Sequence, residues 1–114
     1  MNAEFQVEVR REGSAAIVAI SGELDLASGP SLEQTLSALD SDVTLVVVDL
    51  RRLEFMDSTG LSIIVRAHQR LAEQNCELSL VRGSPQVQRL LDLTGVAERV
   101  RLVEAPEELL TGRD

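Results

Sequence analysis

Phe5, Val7 and Val9 alternate with polar residues near the start of the chain, the period-2 pattern of a strand with one buried face. Glu12-Gly13-Ser14 reads as a turn, and residues 15–21 as a second, more apolar strand. Gly22-Glu23-Leu24-Asp25 leads out of it, as a loop, toward a helix. Pro30 suits the first helical position, where its missing N–H has no bond to lose. Leu32, Leu36 and Leu39 then recur at the spacing of one helix face. Residues 43–50 are nearly continuously apolar and rich in Val, which predicts a central strand covered on both faces. Residues 51–57 are expected to form a loop, and residues 58–74 a helix with Leu61, Ile64, Val65, His68, Leu71 and Ala72 on its buried stripe. Leu78 and Leu80 mark the next strand. Ser84-Pro85 opens a helix carrying Val87, Leu90 and Leu91, which Gly95 closes as a C-terminal cap. Residues 100–103 predict a last strand and residues 106–110 a short closing helix.

The order of elements is ββαβαβαβα. Alternating strands and helices require crossover connections, hence an α/β fold with a mostly parallel central sheet, an N-terminal hairpin and helices packed on the sheet. No internal repeat, low-complexity tract or linker interrupts the pattern, so residues 1–114 read as a single domain.

Composition narrows what such a domain can do. Aromatic residues make up 2% of the chain, with two Phe and no Trp or Tyr, so the core must be aliphatic. The same scarcity removes the stacking platforms that nucleic-acid binding uses. The net charge is -8, and phosphate backbones or anionic lipid would call for a basic patch instead. All 11 basic residues are Arg. Cys76 is the single cysteine, which rules out an internal disulfide and a cysteine-based metal framework; it is expected as a small buried hydrophobe. His68 has no second histidine to share a metal with and is expected in the core or at its rim. The opening Met-Asn-Ala-Glu-Phe has no basic and apolar leader pattern, and no apolar run approaches the length of a membrane span. The expected protein is soluble and cytoplasmic, contacts neither nucleic acid nor membrane, and needs no metal and no cofactor of its own.

The segment that stands out chemically is Phe55-Met56-Asp57-Ser58-Thr59-Gly60-Leu61, between a buried strand and a long helix. Loops at the carboxyl ends of parallel strands are where α/β proteins place their sites. The plain structural reading is that Asp57 or Ser58 caps the helix. An aspartic protease is a poor match, because Thr59 separates Ser58 from Gly60 and because that mechanism needs two carboxylates sharing a proton. With one His, one Cys and no convincing carboxylate dyad, the chain is not expected to be an enzyme. Beside the helix cap, which the local pattern by itself favours, stands a further reading, regulatory phosphorylation of Ser58, and it rests on a family resemblance.

Three segments carry a family resemblance: Ser21-Gly22-Glu23-Leu24-Asp25, then 53–61 (Leu-Glu-Phe-Met-Asp-Ser-Thr-Gly-Leu), then 84–95 (Ser-Pro-Gln-Val-Gln-Arg-Leu-Leu-Asp-Leu-Thr-Gly). In order and spacing the chain resembles the STAS-domain anti-sigma factor antagonists of bacteria, and Asp57-Ser58-Thr59-Gly60-Leu61 is the most specific part of the match. The resemblance implies that Ser58 is phosphorylated and that Glu23, Asp25, Asp57, Ser58, Thr59, Gly60 and Leu61 meet the partner. It further implies that the unphosphorylated protein binds an anti-sigma factor that is also a serine kinase, which frees the sigma factor. Phosphorylation then reverses binding, and a serine phosphatase resets the switch. ATP and Mg²⁺ would be held by the kinase, and the free protein is expected as a monomer or weak dimer. Arg89 is expected as a solvated residue. The competing reading is a STAS structural subunit of a larger assembly, such as a lipid-transport complex or a stress-sensing particle.

Overall fold

The computed structural model describes residues 4–110; Met1 to Ala3, part of the opening read above for a leader, lie outside the described residues. Strands β1 (Gln6–Glu12), β2 (Ala15–Leu24), β3 (Leu45–Met56), β4 (Glu77–Val81) and β5 (Arg101–Val103) form one sheet in the order β1-β2-β3-β4-β5. Strand β1 is antiparallel to β2 through the tight turn at Gly13-Ser14, and the other neighbours are parallel. Helices α1 (Gly29–Ser37), α2 (Ser58–Glu73) and α3 (Pro85–Thr94) are the crossovers, and α4 (Glu107–Leu110) closes the described chain. Because successive parallel strands are neighbours and crossovers share one hand, α1, α2 and α3 pack on the same face of the sheet. Their buried residues Leu32, Leu36, Leu61, Ile64, Leu71, Val87 and Leu91 join Val18, Ile20, Val46, Val48 and Leu80 in the main core. The opposite face carries a smaller cluster of Ala15, Ile17, Leu45, Val47, Val81 and Val103 under Leu109 of α4.

Helix α3 starts with Pro85 behind Ser84, whose hydroxyl accepts a hydrogen bond from the Val87 N–H, and stops at Gly95 in the left-handed region (φ 81). A short 3₁₀ turn (Val96–Glu98), absent from the sequence reading, follows. Cys76 is buried and His68 is half-buried at the rim. Among the described residues no helix is long and apolar enough to cross a membrane.

Three expectations are corrected. Strand β2 continues to Leu24, so Glu23 belongs to the strand and not to a loop. Strand β3 continues to Met56, where a loop was expected over residues 51–57. Its register against β2 shifts twice, between the Ala19–Asp49 and Ser21–Arg52 pairs and again between Gly22–Leu53 and Glu23–Phe55. Each shift inserts one extra residue into β3. Leu50, Leu53 and Met56 therefore face the main core at a spacing of three, and the period-2 signal vanishes. Finally, the buried stripe of α2 is Gly60, Leu61, Ile63, Ile64, Ala67 and Leu71. Val65 and His68 are only half-buried and Ala72 is exposed, because close packing against α1 turns Ile63 and Ala67 inward. Ile63 fills the space a side chain on Gly29 would need.

Candidate functional site

The carboxyl ends of β2 and β3 and the first turn of α2 meet at one end of the sheet. Leu24 and Met56 are register partners, and the Asp57 N–H donates to the Leu24 carbonyl across 3.3 Å. The chain leaves β3 at Asp57 with extended backbone (φ -104, ψ -177) and enters the helix at Ser58. Asp57 is the cap: its Oδ1 accepts from the Gly60 N–H at 2.9 Å, and its carbonyl accepts from Leu61 N–H at 3.0 Å. An aspartate here also matches the positive end of the helix dipole. The structural task is thus Asp57's. Ser58, at the next position, is exposed. Thr59 is half-buried, and its carbonyl accepts from the Ser62 hydroxyl at 2.7 Å.

Gly60 and Leu61 were expected at the partner surface, and the structure corrects both. Leu61 is 5% exposed and belongs to the main core. Gly60 is buried, and a Cβ there would stand 2.6 Å from the Leu24 carbonyl oxygen and 2.8 Å from Leu24 Cγ. Its missing side chain admits β2, not a partner. Sequence shows a glycine after Ser-Thr but not which way it faces.

The loop after β2 is held by its own polar groups. Asp25 Oδ1 accepts from the N–H groups of Ala27 (3.0 Å) and Ser28 (3.1 Å), and the Ser28 hydroxyl donates to the Glu23 carbonyl at 2.7 Å. The Asp25 carbonyl accepts from Gly29 N–H at 2.8 Å, which launches α1. Asp25 is therefore committed to shaping the loop. Glu23 alternates with the buried Leu24, so it turns to the sheet face away from α2, paired with the part-exposed Phe55. The structure thus gathers Asp57, Ser58 and Thr59 into one turn, with Asp25 beside them as scaffold and Glu23 on the other face.

Two residues at this end were missed. Leu26, two positions after Leu24, is 76% exposed, a large apolar side chain with no core to fill. A lone Leu in a loop was the only available signal. Gln86, near the start of α3, reaches across to the Met56 backbone: its Oε1 accepts from the Met56 N–H at 3.1 Å, and its Nε2 donates to the Met56 carbonyl at 3.0 Å. Nothing in the periodicity marks it. Arg89 is exposed, as expected.

On the face away from α2, Asp49 is largely buried in β3. Burial raises its pKa, but hydrogen bonds from the Arg51 side chain, the Arg51 N–H and the nearby positive charges outweigh that and hold the carboxyl below its ordinary value. Arg51 Nη2 lies 2.8 Å from Asp49 Oδ2. Among the described residues no cluster of three or more potential ligands could hold a metal ion.

Comparison with known proteins agrees with this architecture. Residues 6–109 match the family model for the STAS domain. The anti-sigma-B factor antagonist of Staphylococcus aureus is 33% identical over 104 residues, covering 90% of this chain and 96% of that protein. An anti-sigma factor antagonist from Mycobacterium paratuberculosis superposes with a TM-score of 0.86 at 28% identity, covering 97% of each chain. The Bacillus cell fate determinant SpoIIAA in its phosphorylated form shares the fold, with a TM-score of 0.71 at 22% identity over 94% of this chain and 96% of that one. A five-stranded sheet with three crossover helices on one face, a capped Asp-Ser-Thr-Gly turn at its carboxyl end and near full-length relatives lead to one assignment: the chain belongs to the STAS domain family, alongside the anti-sigma factor antagonists.

Proposed function

We propose that this protein is an anti-sigma factor antagonist working by partner exchange in the cytoplasm. In the unphosphorylated state it binds an anti-sigma factor that is also a serine kinase, and the sigma factor is released. That kinase, holding ATP and Mg²⁺ in its own site, phosphorylates Ser58 and so ends the contact, and a separate phosphatase restores it. The observation that carries this reading is the division of labour at the turn: Asp57 makes the cap, so the exposed Ser58 is left without a structural task. SpoIIAA, whose fold this chain shares, exists in a phosphorylated form.

The chemistry is consistent with a switch of this kind. A phosphoserine carries about -1.5 to -2 charge at neutral pH. At a helix N-terminus the free N–H groups and the dipole favour an anion, so the domain has no need to refold around it. An interface shaped for a neutral hydroxyl meets the dianion differently, since burying it unmatched costs several kcal/mol. About 4 kcal/mol is a thousandfold in affinity. Leu26 offers an apolar anchor at the same end of the sheet, of the kind that interfaces bury at their centre.

The test is capture of partners from the source cell on immobilised wild-type and Ser58→Ala protein, with and without ATP. The expected result is one kinase-class partner, released by ATP from wild type but retained by Ser58→Ala, with a single phosphate on Ser58 by fragment mass analysis. A phosphate on Thr59, or a stable assembly indifferent to ATP, would overturn the proposal.

A further inference from the structure

Strand β3 outruns its neighbour. Its pairing with β4 ends at Asp49–Val81, whereas β3 itself runs seven residues further, to Met56. Along that stretch one edge of β3 is paired with β2 and the other has lost its strand. Backbone groups of successive strand residues point to alternate sides. With Asp57 N–H turned toward Leu24 of β2, the N–H and carbonyl of Met56 turn to the unpaired side. Met56 is fully buried, and a buried N–H and C=O left unpaired would each be unfavourable. The side chain of Gln86 meets both of them at 3.1 and 3.0 Å. A primary amide presents the same donor–acceptor pair as a peptide, so this one side chain stands in for the missing strand. The approach is prepared earlier in the same segment, where Gly83 passes so close to β3 that a Cβ would lie 2.9 Å from the Leu50 carbonyl oxygen.

Met56 is two residues from Ser58. We infer that Gln86 is a positioning residue for the phosphoacceptor: by holding Met56 from the α3 side, it sets where the Ser58 hydroxyl stands relative to the attacking geometry imposed by the kinase. This rests on Ser58 being the phosphorylated residue, as proposed above. The Asp57 cap fixes the helix start, the Leu24 carbonyl holds one side of the strand end, and Gln86 holds the other. Phosphoryl transfer depends on in-line alignment of the acceptor oxygen, and a displacement of about 1 Å can lower the rate a hundredfold. Gln86 is itself exposed, so its removal opens no cavity in the core and acts through the two Met56 backbone groups it leaves unpaired.

The experiment compares wild type, Gln86→Ala, Gln86→Glu and the control Arg89→Ala, using the kinase captured from the source cell with ATP and Mg²⁺. Amide hydrogen exchange is measured in parallel on the free proteins. The expected result for Gln86→Ala is a kcat for Ser58 phosphorylation about tenfold lower with KM within about twofold, and faster exchange at Met56 N–H. Its Tm should fall by about 10 °C, because two buried backbone groups lose their partner at about 1 kcal/mol or more each. Gln86→Glu keeps the acceptor for Met56 N–H but cannot donate to the carbonyl, so its Met56 N–H should stay protected while kcat still falls. Arg89→Ala should match wild type. Unchanged kcat in both Gln86 variants, or unchanged Met56 exchange in Gln86→Ala, would overturn the inference. Failure of the underlying reading appears elsewhere, as absence of phosphate on Ser58 in the wild-type reaction itself.

Discussion

Gly60 in the first turn of α2 lies so close to Leu24 at the end of β2 that any Cβ would stand 2.6 Å from a backbone oxygen. Backbone cannot step aside as a flexible side chain can. Gly60→Ala should therefore destabilise the fold by about 2 kcal/mol or more, as overpacking does, although alanine is the better helix former. Urea unfolding of Gly60→Ala beside Ser58→Ala checks this, the latter staying within about 0.5 kcal/mol of wild type as a surface change. A neutral Gly60→Ala would mean that the helix start can retreat from β2.

Asp57 acts through geometry as a cap and through charge as a helix-dipole partner. Asp57→Ala should cost about 1 kcal/mol. Asp57→Asn should recover most of it, because an amide oxygen still accepts from Gly60 N–H. If Asn were as destabilising as Ala, the charge and not the hydrogen bond would be the source. Thermal unfolding at low and high salt separates the two.

Phosphate on Ser58 should leave the fold nearly unchanged. Free N–H groups at the helix start favour it, while the neighbouring Asp57 carboxylate opposes it, so Tm should move by less than about 4 °C. Backbone amide shifts should change near Ser58 and around residues 23–25, where β2 ends beside this turn. Large changes through residues 43–50 or α4 would point to a two-state rearrangement instead.

Leu26 predicts the opposite profile to Gly60. It is exposed and fills no core, so Leu26→Ala should leave stability within about 0.5 kcal/mol. If it is buried in the complex, the same substitution should weaken the captured partner about tenfold, the loss of roughly 1.4 kcal/mol. Titration of the isolated partner by calorimetry measures it, and equal affinity would remove Leu26 from the interface.

Asp49 sets part of the acid limit. Its folded-state carboxyl titrates below the ordinary value, so its contribution is full above the unfolded pKa of about 3.9 and is lost as pH falls through the lower folded pKa. Asp49→Asn should lower stability by about 1 kcal/mol at pH 7, because the amide still accepts from Arg51 but carries no charge. The difference should shrink below about pH 4. A gap that stays constant down to pH 3 would assign the effect to packing. Denaturant midpoints across that range decide it.

What was legible in the sequence is whatever a local pattern reports. Alternation in residues 5–9, the Val-rich run at 43–50, Ser84-Pro85 and Gly95 each state a backbone preference that tertiary context had no reason to override. Together they determine the ββαβαβαβα order, and that order with right-handed crossovers leaves few topologies. Asp57-Ser58 at the entrance to a helix was legible for the same reason, as capping is a matter of three neighbouring residues.

The structure alone decided what depends on residues distant in the chain. Two register shifts against β2 carry β3 past Leu50 to Met56 and change its buried spacing from two to three, a change only the partner strand can impose. Packing against α1 rotated the buried stripe of α2 toward Ile63 and Ala67. Gly60 and Leu61 turned inward because β2 approaches there, and Leu26 stayed outside because nothing packs over it. Gln86 contacts Met56 across 30 residues of sequence, through backbone groups that every residue possesses. A side chain recognising a backbone leaves no complementary residue to search for, and only the fold brings the two together.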